Sequence, residues 1–568
     1  MYQLSGFIPA DLQINSWDDL KPYFEKLLHQ DIKSVEDLER LIVHYSEAIS
    51  VYHEQNARSY INMTCHTNNE DYVKRHELFA VELGPKLETI CNQIDKKITA
   101  SDFFKNLPEE RYACYKQSIA RDLELFREKN VNVQAELSKM VSEFEQLAGK
   151  LMVEYDGEKL PIPMVSKKLL SSDRSEREKA WFAIQDTRYQ SKDEHDQLFD
   201  QMIKKRHELA TNAGYKNFRD YKHDALHRFD YTVKDVLQFQ ESIEELVVPL
   251  ANKLLEKQKN KLGITDSFRP WDSSGKPKDE KPLEPFEKAE ELLGKTKDIF
   301  AKLDPQFKDN LQKMDDAKLF DLESRANKAP GGYNYGLEIT GMPFIFMNAA
   351  GTHRDVVTLM HEGGHAMHTF LTNNEPLINY RNTPSEMAET ASMSMELLTA
   401  KHWGEFYNEE DFKRARQEHM EGVIDTFPWV ATVDAFQHWV YTNPEHTVED
   451  RDGEFEKLMQ RFGGTCVDWS GLEKYRRNFW QKQLHIFSVP FYYIEYAIAQ
   501  IGALQVYRNF KKDEKAGLEA YKRGLSLGSS KPLPQVWEAM GIKFDFSKNN
   551  LKALMDFVSE ELASLGSL

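Results

Sequence analysis

Over residues 35–262 apolar side chains recur every third or fourth position with few breakers between them, the spacing of amphipathic helices. Residues 133–151 are representative: Leu137, Met140, Val141, Phe144, Leu147 and Leu151 form one stripe. Such stripes pack helix against helix, so this half of the chain is read as helical and is assigned no chemistry. Over residues 259–285 the periodicity gives way to Lys, Asp, Ser, Gly and Pro, which predicts a connector loop. A second break, residues 328–333, precedes two short runs, 335–340 and 344–347, whose β-branched and aromatic bias predicts a small sheet. Helical spacing then resumes and continues to Leu568, without repeats or low-complexity tracts. Mixed-charge stretches such as residues 287–302 read as solvated helix faces. The pattern predicts a mainly α protein with a small β-sheet.

Composition narrows the class. A chain of 568 residues with 40% hydrophobic and 29% charged positions can bury a sizeable core, and is neither disordered nor collagen-like. The net charge of −18 makes phosphate backbones and anionic lipid surfaces poor partners, so neither nucleic-acid nor membrane binding is expected. Cys65, Cys91, Cys114 and Cys466 form no CxxC pair and read as reduced thiols. The first residues lack a basic start with an apolar run, and no stretch approaches about 18 uninterrupted apolar residues. Together these predict a cytoplasmic protein. They carry no signal of oligomeric state.

The candidate chemistry sits at His361-Glu362-Gly363-Gly364-His365, inside a helical pattern that Thr352 or Asp355 can cap and that Pro376 follows. Residues four apart are neighbours on a helix, so His361 and His365 can present two imidazoles to one ion while Glu362 projects to one side. Two glycines inside a helix cost about 1 kcal/mol each relative to alanine, which implies a need for close approach to that backbone. A catalytic zinc takes a third protein ligand, and acidic residues cluster downstream. Thr383, Pro384 and Glu386 read as N-cap, first helical position and capping-box acid of a second helix. Glu389 and Glu396, seven residues apart, share one face of it with Met393. By ligand logic Glu389 or Glu386 can be the third ligand, and Glu396 can support a ligating imidazole from behind.

The run from Phe346 through Ala349-Ala350-Gly351-Thr352-His353 to His361-Glu362-Gly363-Gly364-His365-Ala366-Met367-His368 resembles the active-site segment of the thimet oligopeptidase and oligoendopeptidase F family of zinc metallopeptidases. The spacing of Glu389 and Glu396 is similar to the oligoendopeptidase branch, where the first is the third zinc ligand; this favours Glu389 over Glu386. The segment His485 to Tyr496 resembles the family's C-terminal run, in which a histidine and two tyrosines three apart face the scissile carbonyl; these map onto His485, Tyr493 and Tyr496, with Tyr492 as the alternative to Tyr493. Ser488-Val489-Pro490-Phe491 stands where the thimet type has a glycine-rich loop, again as in the oligoendopeptidase branch. Arg269-Pro270-Trp271-Asp272 and residues 329–333 extend the resemblance from about residue 200 onward.

The resemblance implies a two-lobed helical metallopeptidase with a deep central cleft and the small sheet beside the HExxH helix. It divides the chain into an N-terminal helical lobe, residues 1–200, and a zinc metallopeptidase region, residues 201–568. One Zn²⁺ per chain on His361, His365 and Glu389 is expected, with Glu362 as general base and His485, Tyr493 and Tyr496 as donors to the oxyanion. The expected substrates are short unstructured oligopeptides cut at internal bonds, a strand near residues 335–346 pairing with their backbone. The alternatives are a zinc carboxypeptidase, which needs a basic clamp for the terminal carboxylate, and a non-catalytic peptide-binding scaffold, against which Glu362 argues.

Overall fold

Apolar stripes become helices where caps start them and neighbours cover them. In the computed structural model, which describes residues 4–325, 327–329 and 331–567, helix α1 (Val35–Cys65) begins where the Ser34 hydroxyl accepts the Asp37 N–H. It buries Leu38, Leu41, Ile42 and Val51. Helix α2 (Glu128–Gly149) carries the stripe of residues 133–151 and buries its Val133 and Phe144.

The all-helical reading of residues 35–262 fails just beyond α2. Strands β1 (Met152–Tyr155) and β2 (Glu158–Pro161) pair antiparallel around Asp156 and Gly157, both at positive φ (53° and 84°), the geometry that Asp-Gly hairpin turns favour. Val153 and Tyr155 pack with Val165, Ala180 and Ile184 in a small core of their own.

The expected connector is largely irregular: apart from a short turn at Pro270–Asp272, no regular element intervenes between Lys261 and helix α3 (Ala289–Leu303). It is pinned by Asp272, fully buried, which accepts from Arg174 (2.8 Å) and Arg177 (2.8 Å). Helix α3 has the charged, solvated face read from the sequence, with Glu290, Glu291 and Asp298 exposed, and buries Leu292, Leu293, Ile299 and Phe300 beneath it.

Both expected strands form, with shifted ends, and a third joins them. Strands β3 (Phe320–Glu323), β4 (Tyr333–Leu337) and β5 (Met342–Ala349) make a sheet in the order β3-β5-β4. β5 runs parallel to β3 and antiparallel to β4, with Tyr335 opposite Phe344. Pro330, within the expected break at residues 328–333, lies outside the described residues. The central strand is buried from Pro343 to Met347, which is why its sequence is continuously apolar rather than alternating.

After β5 the chain turns at Gly351 (φ 88°) into helix α4 (His353–Thr372), and helix α5 (Ser385–Thr399) packs beside it. Helices α6 (Glu409–Thr442), α7 (Leu484–Ser488) and α8 (Ile494–Lys512) follow.

The chain forms two compact units, each built from three stretches. One comprises Met1–Glu128, Leu283–Ala415 and Ala499–Phe544, and contains the three-stranded sheet, α4 and α5. Its N-terminal helices share a core of Leu20, Phe24, Leu41, Phe79, Leu83 and Ile98 with Leu377 and Tyr380. The other comprises Lys129–Pro282, Arg416–Ile498 and Asp545–Leu568, and contains the hairpin, α7 and an aromatic cluster of Trp181, Trp271 and Tyr475. Among the described residues no helix is long and apolar enough to cross a membrane.

Candidate metal centre and donor cluster

The two residues offered as alternative caps of helix α4 act together, Thr352 as N-cap and Asp355 three residues on: the Asp355 carboxylate accepts the Thr352 N–H at 2.8 Å and the Ala350 N–H at 2.9 Å. A firm start fixes the register of the helix and so the direction of everything one to four turns on. His361 and His365 fall on one face, ring centroids 4.9 Å apart. Asn334 of β4 donates to the Glu362 carbonyl at 3.1 Å and ties this stretch of helix to the sheet.

The paired glycines have separate reasons. A Cβ on Gly364 would stand 2.6 Å from Ser392 Cα, 2.9 Å from the Ala391 carbonyl oxygen and 2.9 Å from Met395 Cβ, all on α5. Bare backbone at this position lets α5 lie directly on α4. A Cβ on Gly363 would instead meet the Phe300 ring of α3 at 2.4 Å.

Helix α5 starts one residue later than the sequence suggests. Pro384 occupies the N-cap place with no side-chain cap, so Thr383 and Glu386 do not form the expected capping box. Glu386 is buried and lies outside the cluster below. Close packing on Gly364 brings Glu389 to the two imidazoles: its Oε2 is 3.3 Å from His361 Nε2 and 3.7 Å from His365 Nε2. Among the described residues these three form the group of His, Cys, Asp or Glu side chains able to hold an ion. Ligand atoms about 2.0–2.1 Å from a tetrahedral zinc stand about 3.3–3.4 Å apart, so the observed separations suit such an ion with small adjustments.

Two further carboxylates complete the surroundings. Glu396, two turns beyond Glu389, accepts from His361 Nδ1 at 2.6 Å, which leaves Nε2 facing Glu389. Ser392, which the sequence reading passed over, donates to Glu389 Oε2 at 3.1 Å; its place three residues after Glu389 on one helix was the available signal. Glu362 is buried, and its Oε2 meets no hydrogen-bond partner. A partnerless carboxylate oxygen beside three convergent donors is the kind of orphan that a bound water or ion resolves, and the donor set fits a divalent cation.

The electrostatics agree. Burial pushes the Glu362 carboxyl up to about 7, opposed by His361 and assisted by Glu389 and Glu396. Burial also pulls His365 down to about 4, which keeps it in the neutral form that ligates metals. Burial alone would lower His361 too, yet its hydrogen bonds to Glu389 and Glu396 overcome this and raise it well above the ordinary value. Two carboxylates on one imidazole attract positive charge, which a metal supplies with release of the proton. His368, three residues past His365, is buried and held neutral near 3, and it is not one of the three.

The remaining predicted residues gather in the second unit. His485 on α7 lies 4.8 Å from the Tyr493 ring and 5.9 Å from Tyr496, centroid to centroid, and the two tyrosines are 5.4 Å apart. Tyr492, 5.4 Å from Tyr496, belongs to the same cluster. Gln483 Nε2 donates to His485 Nδ1 at 2.7 Å, which places the proton of the neutral ring on Nε2. The cluster thus gathers one imidazole N–H and phenolic hydroxyls, groups able to donate hydrogen bonds.

The chain matches the model of peptidase family M3 over residues 169–556 and that of the peptidase M3 N-terminal domain over residues 7–126. An oligoendopeptidase F homolog from Borreliella burgdorferi is 29% identical over 223 residues, 37% of this chain and 36% of that protein. The matched stretch therefore spans little more than a third of that relative. Group B oligopeptidase PepB from Streptococcus agalactiae is 23% identical over 416 residues, 70% of this chain and 65% of the relative. Among solved structures, PZ peptidase A with inhibitor 2 superposes with a TM-score of 0.92 at 26% identity, covering 98% of each chain. A putative oligoendopeptidase F superposes at 0.91 and 25% identity over 100% of each.

Proposed function

The chain belongs to peptidase family M3, and on that premise we propose that it is a zinc-dependent endopeptidase that hydrolyses internal bonds of short, unstructured oligopeptides in the cytoplasm. One Zn²⁺ per chain is held by His361, His365 and Glu389. When bound, it supplies Lewis acidity toward the peptide carbonyl and acidifies a water.

The chain's own residues do the rest. Glu362, with its partnerless Oε2, takes the proton of the attacking water and returns it to the leaving amine, serving as base and then acid. Glu396 holds the His361 ring by its Nδ1–H, so that Nε2 keeps its lone pair toward the ligand group. His485, Tyr493 and Tyr496 act as donors to the developing oxyanion, a role assigned from their donor groups and from the motif they match. Strand β4, at the edge of its sheet, offers backbone groups to an extended peptide, which gives affinity with loose sequence preference.

The observation that supports this reading most is the His361, His365 and Glu389 group with the orphan carboxylate oxygen of Glu362 beside it. The test is Glu362→Gln, with zinc content measured alongside turnover of a fluorogenic oligopeptide. Full zinc occupancy with turnover lost by about a thousand-fold or more is expected. Parental turnover in that variant, or loss of the metal with it, would contradict the assignment.

A further inference from the structure

The donor cluster sits on a difficult piece of backbone. Helix α7 is only five residues long, closed at its end by the Val489 N–H donating to the His485 carbonyl at 3.1 Å, and Pro490 just beyond it brings no N–H. Phe491 then adopts φ 66°, the left-handed region that a bulky side chain occupies only at a cost in strain. Within the segment the turn is closed by one backbone bond, the Tyr492 N–H donating to the Val489 carbonyl at 3.2 Å.

Side chains brought from far along the same unit add to this. The Phe491 N–H donates to Gln437 Oε1 of α6 at 2.8 Å, and Gln437 is wholly buried. Arg228 donates to the Phe491 carbonyl at 2.5 Å and to Glu495 at 2.7 Å; Glu495 lies between the two tyrosines in sequence and forms with Arg228 an ion pair out of reach of solvent. Arg206 donates to the Phe487 carbonyl and to the Tyr441 hydroxyl, the latter at 2.7 Å. The Phe491 ring itself packs on His438 and Tyr441 of α6.

We propose that Gln437, Arg228 and Arg206 are positioning residues that hold the strained turn at Phe491, and so set His485, Tyr493 and Tyr496 as one convergent group of donors. This rests on the reading of that cluster as the oxyanion donors. Relaxation of Phe491 out of the left-handed region changes the direction in which the chain enters α8, and so shifts Tyr493 and Tyr496 against His485. A displacement of about 1 Å at reacting groups can cost about a hundred-fold in rate.

The test uses the full-length, zinc-loaded protein and four variants: Gln437→Met, which removes the acceptor at nearly constant shape, Gln437→Glu, which restores it, Tyr496→Phe, and the double variant Gln437→Met with Tyr496→Phe. Gln437→Met is expected to lower kcat about ten- to a hundred-fold with KM changed less than about two-fold. Gln437→Glu should recover most of that loss. In the double variant the combined loss should fall short of the product of the two single losses, because the Tyr496 share of the misplacement is already gone while His485 and Tyr493 remain to be misplaced. Should Gln437→Met fail to fold, Arg228→Lys carries the same test, since the shorter side chain keeps a charge beside Glu495 but cannot place its nitrogen where Nη2 of Arg228 meets both Glu495 and the Phe491 carbonyl. Parental kcat in Gln437→Met beside an impaired Tyr496→Phe, or losses that multiply in the double variant, would overturn the inference alone. Parental kcat in Tyr496→Phe would remove the donor reading, and the inference with it.

Discussion

Gly364→Ala adds a single methyl group where α4 and α5 touch. Its Cβ would lie 2.6 Å from Ser392 Cα and 2.9 Å from both the Ala391 oxygen and Met395 Cβ, two of the three being atoms of α5 backbone that cannot rotate away. Carbon atoms settle at about 3.5–4.0 Å, so the helices must part by about 1 Å at this level. Metal ligand distances tolerate only about 0.2 Å, so Glu389 and the imidazoles can no longer meet one ion well. The expected result is a zinc affinity lower by at least about ten-fold. Overpacking costs about 1–3 kcal/mol, while alanine's better helix propensity returns about 1, so the net loss of stability should be only about 0–2 kcal/mol. Competition with a chromophoric chelator reads the first quantity and thermal unfolding of the apo protein the second. Gly363→Ala is the control, because its Cβ meets the Phe300 side chain at 2.4 Å and leaves the α4–α5 spacing alone. It should destabilise the fold yet bind zinc almost normally. Equal zinc affinity in Gly364→Ala and the parent, or an equal loss in both alanine variants, would refute the reasoning.

Other expectations follow from individual contacts. Glu396→Gln replaces the charged acceptor of the His361 Nδ1–H and should weaken zinc binding about 10- to 100-fold while leaving thermal stability nearly unchanged, read by the same competition. Asp272→Ala strands the buried Arg177 guanidinium and should cost about 3–5 kcal/mol in urea unfolding of the unit that contains it. Asp95→Asn tests a pH dependence: burial, with Asp122 nearby, pushes this carboxyl up to about 7 against a hydrogen bond from Tyr45. The folded state therefore holds a proton that the unfolded chain has lost between about pH 4 and 7, and stability contributed by Asp95 falls as pH rises through that window. The asparagine variant should exceed the parent by about 4 kcal/mol above pH 7, since each pH unit between about 4 and 7 adds about 1.4 kcal/mol, and match it near pH 4; a gain that is constant with pH would exclude this origin.

What the sequence disclosed and what it hid divide along the range of the interactions. The cap of α4, the face shared by His361 and His365, and the seven-residue spacing of Glu389 and Glu396 are local, and each is legible because helical geometry alone relates those positions. The glycine pair was legible as a demand for close approach, while its partners, Ser392 and Phe300, were not. The hairpin at Asp156-Gly157 carried a turn signal that the surrounding helical periodicity obscured. Strand β3 offers only four residues, and its parallel pairing with β5 leaves no mark in spacing. The start of α5 slipped by one residue because Thr383, Pro384 and Ser385 all suit a helix entrance. Asn334 on Glu362, and Gln437 and Arg228 on Phe491, join residues 28 to 263 positions apart, and nothing in local periodicity encodes them. For the same reason a linear reading divides the chain once, whereas the compact units alternate along it.

The central claim is that a metal-assisted site on α4 and α5 cuts peptides internally. The most direct measurement is mass-spectrometric mapping of cleavage in a pool of oligopeptides, each supplied with a free and with an amidated C-terminus, before and after removal of zinc by a chelator. The account predicts cuts at internal bonds, identical in the free and amidated forms, abolished by the chelator and restored by added Zn²⁺. Trimming confined to free C-termini, or no cleavage by protein with zinc bound, would contradict it.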